Sequence, residues 1–176
     1  MIKDKVLDAL NDQMTFEIYS AYTYKAMAAY FAHIDLNGME NFLNVQTKEE
    51  LAHAEKFYKY ITDSGARARF GQVDEPRFDY STPQEAFEVA LKHEQVVTGR
   101  MGRHSDLAIT ESDHATRIFL EWFVTEQVEE EASFTAIIAK LKLIGDDGQG
   151  LLMLDQELGQ RVFTPLAGEA GAQGQK

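Results

Sequence analysis

Cysteine is absent from this 176-residue chain. Its absence excludes disulfides, thiolate metal sites and cysteine nucleophiles, and fits a reducing compartment. Proline is scarce, with Pro76, Pro83 and Pro165 its only occurrences, so long stretches lack the residue that breaks helices. No apolar run approaches the roughly 20 residues needed to span a bilayer. The N-terminal MIKDKVLDALNDQ is amphipathic and charged rather than an apolar signal core. The expectation is a cytoplasmic protein that does not enter a membrane. Basic residues are few, with 17 Lys and Arg against 29 Asp and Glu, and the formal net charge is −12. Such a surface repels nucleic-acid phosphates and makes cations the better partners. The length suits one compact domain with a real core.

The proline-free stretches carry helical periodicity, and the chain reads as all-α. One helix is expected over about Ile2–His33, broken at DLNG, and a second over about Asn37–Ser64, ending before Gly65. A third starts at STPQE, where Ser81 or Thr82 can cap and Pro83 suits the first turn, and fades near Thr110. A fourth covers about Asp113–Ile144. After GDDGQG comes a short fifth, about Leu151–Gln160, and a domain over residues 1–163 then gives way to a flexible tail, 164–176. Short links make the first and second helices antiparallel, and likewise the third and fourth. The link ARARFGQVDEPRFDYST is long enough to run back along a helix of about 28 residues, roughly 42 Å. The result is a four-helix bundle with one long crossover connection and a short fifth C-terminal helix.

Each long helix shows an apolar seam at spacings of three and four, and glutamate interrupts every seam. Glu17 breaks Leu10–Met14–Ala21–Tyr24, and Glu50 with His53 breaks Leu43–Gln46–Phe57. Glu94 breaks Ala90–Val97, and Gln127 with Glu130 breaks Phe123–Phe134. A lone seam glutamate is usually hydrated locally. Four near the middle of four helices fall in one layer, where burial and mutual repulsion penalise them unless cations are present. Two divalent cations supply +4 against the −4 of Glu17, Glu50, Glu94 and Glu130. Hard oxygen donors with one imidazole suit Fe(II), Mn(II) or Zn(II). Glu50 and His53, three apart, project together, and one glutamate from each of two helices plus a Glu-x-x-His pair is the pattern of carboxylate-bridged di-iron bundles. Glu111 and His114 share the spacing but lie at a turn, where acidic residues serve a helix N-terminus.

These residues, in FEIYSAYTY, EELAHAEKF, KHEQV and WFVTEQVEEE, resemble the non-haem ferritins of bacteria and archaea. The resemblance runs from Met1 to about Phe163. It implies a homo-oligomeric cage of 24 subunits that oxidises Fe(II) with dioxygen or hydrogen peroxide and stores the ferric product. By position it implies a first iron on Glu17, Glu50 and His53, with Glu50 bridging to a second on Glu94 and Glu130. Gln127 stands beside that second iron, and Tyr24 matches the family's central tyrosine. Glu49, Glu126 and Glu129, with Glu130 shared, match a third iron site. Bacterioferritins carry a second Glu-x-x-His and a methionine after the bridging glutamate; Gln127 with Glu130, and Leu51, stand there instead, so no haem is expected. Rubrerythrins need a cysteine-rich domain.

Residues 126–131, EQVEEE, divide under this reading. Gln127 and Glu130 continue the seam, Glu126 and Glu129 occupy one flank, and Glu131 is left as surface charge. Two rival functions share the same residues: a di-iron oxygenase or peroxidase without storage, and a structural assembly whose layer is vestigial or holds zinc. Gly99 and Gly102 weaken the third helix without evident reason.

Overall fold

The computed structural model describes residues 2–165, so nearly all of the tail expected at 164–176 lies outside the described residues. Among those described, five helices form in order: α1 (Asp4–His33), α2 (Asn37–Asp63), α3 (Pro83–Thr110), α4 (His114–Ile144) and α5 (Gly148–Leu158). The expected caps are present. The Thr82 hydroxyl accepts the Glu85 N–H at 3.1 Å with Pro83 in the first turn, and Asp113 accepts the Thr116 N–H at 3.0 Å. The short α1–α2 and α3–α4 turns each pass through a left-handed residue, Asp35 (φ 59°) and Ser112 (φ 55°). The fifth helix starts three residues before the expected Leu151. Gly148 and Gly150 read as a break, but the Asp147 carboxylate accepts the N–H groups of Gln149 and Gly150, both at 3.2 Å, and draws them into the first turn.

The helix pairs α1–α2 and α3–α4 pack most extensively, and α1 also lies against α3. The crossover is fastened along α1 by side chains: Arg69 N–H to Asn11 Oδ1 (2.6 Å) and Gly71 N–H to Thr15 Oγ1 (3.0 Å). It ends with Tyr80 packed on the Tyr30 ring. Between α2 and α4 rings bridge the gap: Phe57 stacks on Phe123 at 4.5 Å and Tyr60 on Phe119 at 4.0 Å. The buried apolar residues fall into two clusters. One lies around Leu10, Met14, Phe57, Leu120 and Phe123, the other around Tyr24, Phe31, Phe42, Phe87 and Phe134. The interrupted seams fall between them as a polar layer.

α5 docks on the start of α2. A Cβ at Gly38 would lie 1.7 Å from the Asp155 carbonyl oxygen, and Gly159 approaches from the same side. Asp155 Oδ1 accepts the Met39 N–H at 2.8 Å. Gly38→Ala is therefore expected to destabilise the protein by roughly 3 kcal/mol, the upper end of overpacking costs. Thermal denaturation measures it, and a wild-type melting temperature would refute the close approach. No such contact requires glycine at 99 or 102.

Candidate metal centre

Four helices carry the layer. Glu17 on α1, Glu50 and His53 on α2, Glu94 on α3, and Gln127 and Glu130 on α4 are all buried. At 3.6 residues per turn Glu50 and His53 share a face, and Glu50 Oε2 lies 3.6 Å from His53 Nδ1. One ligand atom each from Glu17, Glu50 and His53 falls within 4.8 Å of the others, close enough for a single cation to touch all three. Glu94, Gln127 and Glu130 complete the layer from α3 and α4.

Three carboxylates have one oxygen held by a glutamine amide. Gln13 Nε2 donates to Glu17 Oε1 (2.9 Å), Gln46 Nε2 to Glu50 Oε1 (3.0 Å) and Gln127 Nε2 to Glu94 Oε2 (2.9 Å). The Tyr24 hydroxyl donates to the other Glu94 oxygen. Among the described residues two carboxylate oxygens, Glu17 Oε2 and Glu130 Oε2, are buried without a hydrogen-bond partner, as is the Thr23 hydroxyl. Native interiors rarely leave acceptors so. The donor set is carboxylate oxygens with one imidazole, and what it lacks is positive charge, which a hard or borderline divalent cation supplies.

Two of the glutamines are themselves oriented by arginine. Gln13 Oε1 accepts from Arg100 Nε at 2.7 Å and lies 3.0 Å from His104 Nε2, while Arg100 Nη2 pairs with Asp12 at 2.6 Å. Gln46 Oε1 accepts from Arg161 Nη1 at 2.8 Å. With the amide oxygen fixed, each NH2 group is aimed at its carboxylate.

The electrostatics follow from burial. Desolvation, reinforced by neighbouring carboxylates, pushes Glu17 and Glu94 each up to about 8 and Glu50 well above the usual range. The Tyr24 phenol is raised by burial and by Glu94. His93 sits among the rings of Phe16, Tyr19 and Tyr24 with Nε2 2.8 Å from Ser20 Oγ. Burial lowers it to about 4, so it brings no charge to the layer near neutral pH.

The flanking glutamates differ among themselves. Glu49 is mostly covered and its Oε2 accepts from Arg161 Nη2 at 2.5 Å; burial nevertheless outweighs that pairing and raises its carboxyl to about 7. Glu126 is half-buried and also raised, by burial and then, among its neighbours, by Glu130 and Glu129, whereas Glu129 itself is exposed. Glu131, expected as surface charge, is half-buried and accepts the Thr98 hydroxyl at 2.5 Å, tying α4 to α3. Glu111 closes α3 rather than opening α4 and pairs with Lys3 and Lys5, while His114 is exposed.

Sequence reasoning missed Gln13, Arg100, His104 and Arg161. Gln13 had a signal, since it precedes Glu17 by four residues as Gln46 precedes Glu50. The arginines had none, because their glutamine partners lie 87 and 115 residues away.

A family model described as the ferritin-like domain matches residues 7–144. A bacterial non-heme ferritin from Staphylococcus aureus (strain MRSA252) is 45% identical over 163 residues, covering 93% of this chain and 98% of the relative. The bacterial non-heme ferritin of Staphylococcus saprophyticus matches with the same identity and coverage. Among solved structures, an open pore ferritin from the hyperthermophilic archaeon Archaeoglobus fulgidus superposes with a TM-score of 0.91 at 46% identity, covering 92% of this chain and 100% of that one. A form of the Archaeoglobus fulgidus ferritin engineered to be closed gives 0.92 at 46%, covering 93% and 100%.

Proposed function

The chain belongs to the ferritin family, and from that membership we propose that it is an iron store. It oxidises Fe(II) at the buried layer with dioxygen or hydrogen peroxide and keeps the Fe(III) product as a mineral inside a shell of 24 copies, in the cytoplasm. The observation that carries this reading is the pair of unpartnered carboxylate oxygens, Glu17 Oε2 and Glu130 Oε2, buried in one layer on α1 and α4.

Glu17, Glu50 and His53 hold the first Fe(II); Glu94 and Glu130 hold the second, with Glu50 bridging. Two Fe(II) give up one electron each, which reduces dioxygen with two protons to hydrogen peroxide, or hydrogen peroxide with two protons to water. The carboxyls of Glu17, Glu50 and Glu94, protonated near neutral pH when no cation is present, release their protons as Fe(II) binds, so the layer exchanges protons for metal charge. Gln127 serves the second position by holding Glu94 rather than by binding metal, since a neutral amide is a poor ligand for a hard cation. One position is thereby weaker, which suits a product that has to leave. Tyr24 orients Glu94 and is an oxidisable ring in contact with a ligand. Glu49, Glu126 and Glu129, with Glu130 shared, form a third iron position between this centre and the cavity.

Aerobic loading with Fe(II) tests storage. Electron micrographs are expected to show hollow shells with dense cores. Monomeric or dimeric particles without cores would instead favour an oxygenase or peroxidase.

A further inference from the structure

The polypeptide beyond α5 places a fixed cation against the flank. Arg161 lies three residues past the end of α5, and its guanidinium makes separate contacts with each terminal nitrogen. Nη2 donates to Glu49 Oε2 at 2.5 Å; Nη1 donates to Gln46 Oε1 at 2.8 Å and to the Phe42 carbonyl at 3.4 Å. The guanidinium carbon stands 4.2 Å over the Phe42 ring. Asn41 anchors the backbone that carries it, its Nδ2 donating to the carbonyls of Gly159 (3.2 Å) and Arg161 (2.9 Å). Both charged side chains are mostly covered, at 22% exposure for Arg161 and 20% for Glu49. This is a held pair, in contrast to the mobile ion pairs of an open surface.

We infer that Arg161 is a built-in competitor for the third iron position, a guanidinium that pairs with Glu49 when no metal is there and weakens binding of a third cation by holding one Glu49 oxygen and by like charge. The inference rests on the third position proposed above. While Glu49 keeps its 2.5 Å bond from Nη2 to Oε2, it has only Oε1 to offer a cation shared with Glu126 and Glu130. A divalent ion at that flank also meets the like charge of the guanidinium, which is screened little where both groups are covered. Competition keeps the flank weak, so iron passes through it instead of resting there. The same guanidinium fixes Gln46, whose amide holds Glu50 Oε1. Displacing Arg161 therefore also loosens the bridging carboxylate, and arrival of a cation on the flank is felt at the paired centre.

Calorimetric titration of the metal-free assembled protein with Zn(II) alone tests this without redox turnover. Arg161→Gln, which removes the charge, is expected to tighten the third Zn(II) by about tenfold, the effect of one partly buried charge-assisted pair. Arg161→Lys, which keeps the charge, is expected to stay near wild type, and Glu49→Gln is expected to lose the third Zn(II) whether or not Arg161 is present. Equal third-site affinity in wild type and Arg161→Gln, or weaker affinity in the variant, overturns the competition and leaves the flank site standing. No third Zn(II) in any of the proteins overturns the flank site and the competition with it. Should Arg161→Gln fail to assemble, Asn41→Ala frees the carrying backbone without touching a carboxylate. It must then tighten the third Zn(II) in smaller measure, and unchanged affinity there counts against the role.

Discussion

Replacing Glu50 by alanine is expected to slow the rapid phase of Fe(II) oxidation by on the order of 100-fold or more, at least what the loss of a residue that merely orients a metal ligand costs. His53→Ala is expected to do the same. Glu50 is the carboxylate within reach of both halves of the layer: it shares a ligand group with Glu17 and His53, and its charge is felt together with Glu94 and Glu130. Neither substitution should unfold the bundle. Alanine removes a buried acid but leaves the Gln46 amide without its acceptor, so the metal-free variant is expected to keep its fold with a loss of about 1–3 kcal/mol. The apolar clusters on either side remain complete. Stopped-flow absorbance under air, with circular dichroism as the check on fold, decides the matter; unchanged oxidation in both variants would remove this layer from the reaction.

The second large effect is a pH dependence that metal removes. In the folded, metal-free chain Glu17 and Glu94 titrate at about 8 against an ordinary value of 4.5, so the folded state binds more protons than the unfolded one between those values. Stability from these groups is full below about 4.5 and is lost as pH rises through about 8. His93 and His104 act in the opposite sense. Burial lowers both to about 4 from 6.5, so they add stability as pH rises to about 6.5 and nothing beyond. Between pH 6.5 and 8 only carboxyls act: Glu17 and Glu94 by themselves are expected to cost the metal-free protein roughly 3 kcal/mol, and Glu49 and Glu50 act in the same direction. With Zn(II) saturating, these carboxylates are ionised in the folded and the unfolded chain alike, and their contribution is expected to be flat over the same interval. Thermal melts at pH 6.5 and 8, with and without Zn(II), measure both slopes. A metal-free protein as stable at pH 8 as at 6.5 would contradict the assigned burial.

The seams were legible because each long helix repeats one period for about eight turns, and a charged residue inside such a period stands out against its apolar neighbours. Glu17, Glu50, His53, Glu94, Gln127 and Glu130 are all buried as that period requires. Helix starts were legible where proline or a capping side chain marked them, as at Thr82 and Asp113, and illegible at α5, where two glycines outweighed the capping Asp147. The supporting relays were hidden for another reason. Arg100 and Arg161 reach Gln13 and Gln46 across the bundle and from beyond its last helix, and no local period encodes such contacts. The flank was half legible: helical phase put Glu126 and Glu129 together, but exposure separates them, and the cation beside Glu49 came from a stretch that read as the domain's end.

The pairing of helices also makes the centre a gauge of alignment. One hairpin, α1 with α2, brings Glu17, Glu50 and His53; the other, α3 with α4, brings Glu94, Gln127 and Glu130. Leucine and phenylalanine can interdigitate at more than one offset, and a slip of one turn would still bury apolar surface. It would also carry every ligand of one hairpin about 5.4 Å past those of the other. A cation held by residues of both hairpins would therefore reward one offset only, and discriminate between stackings that oily contacts alone leave close in energy.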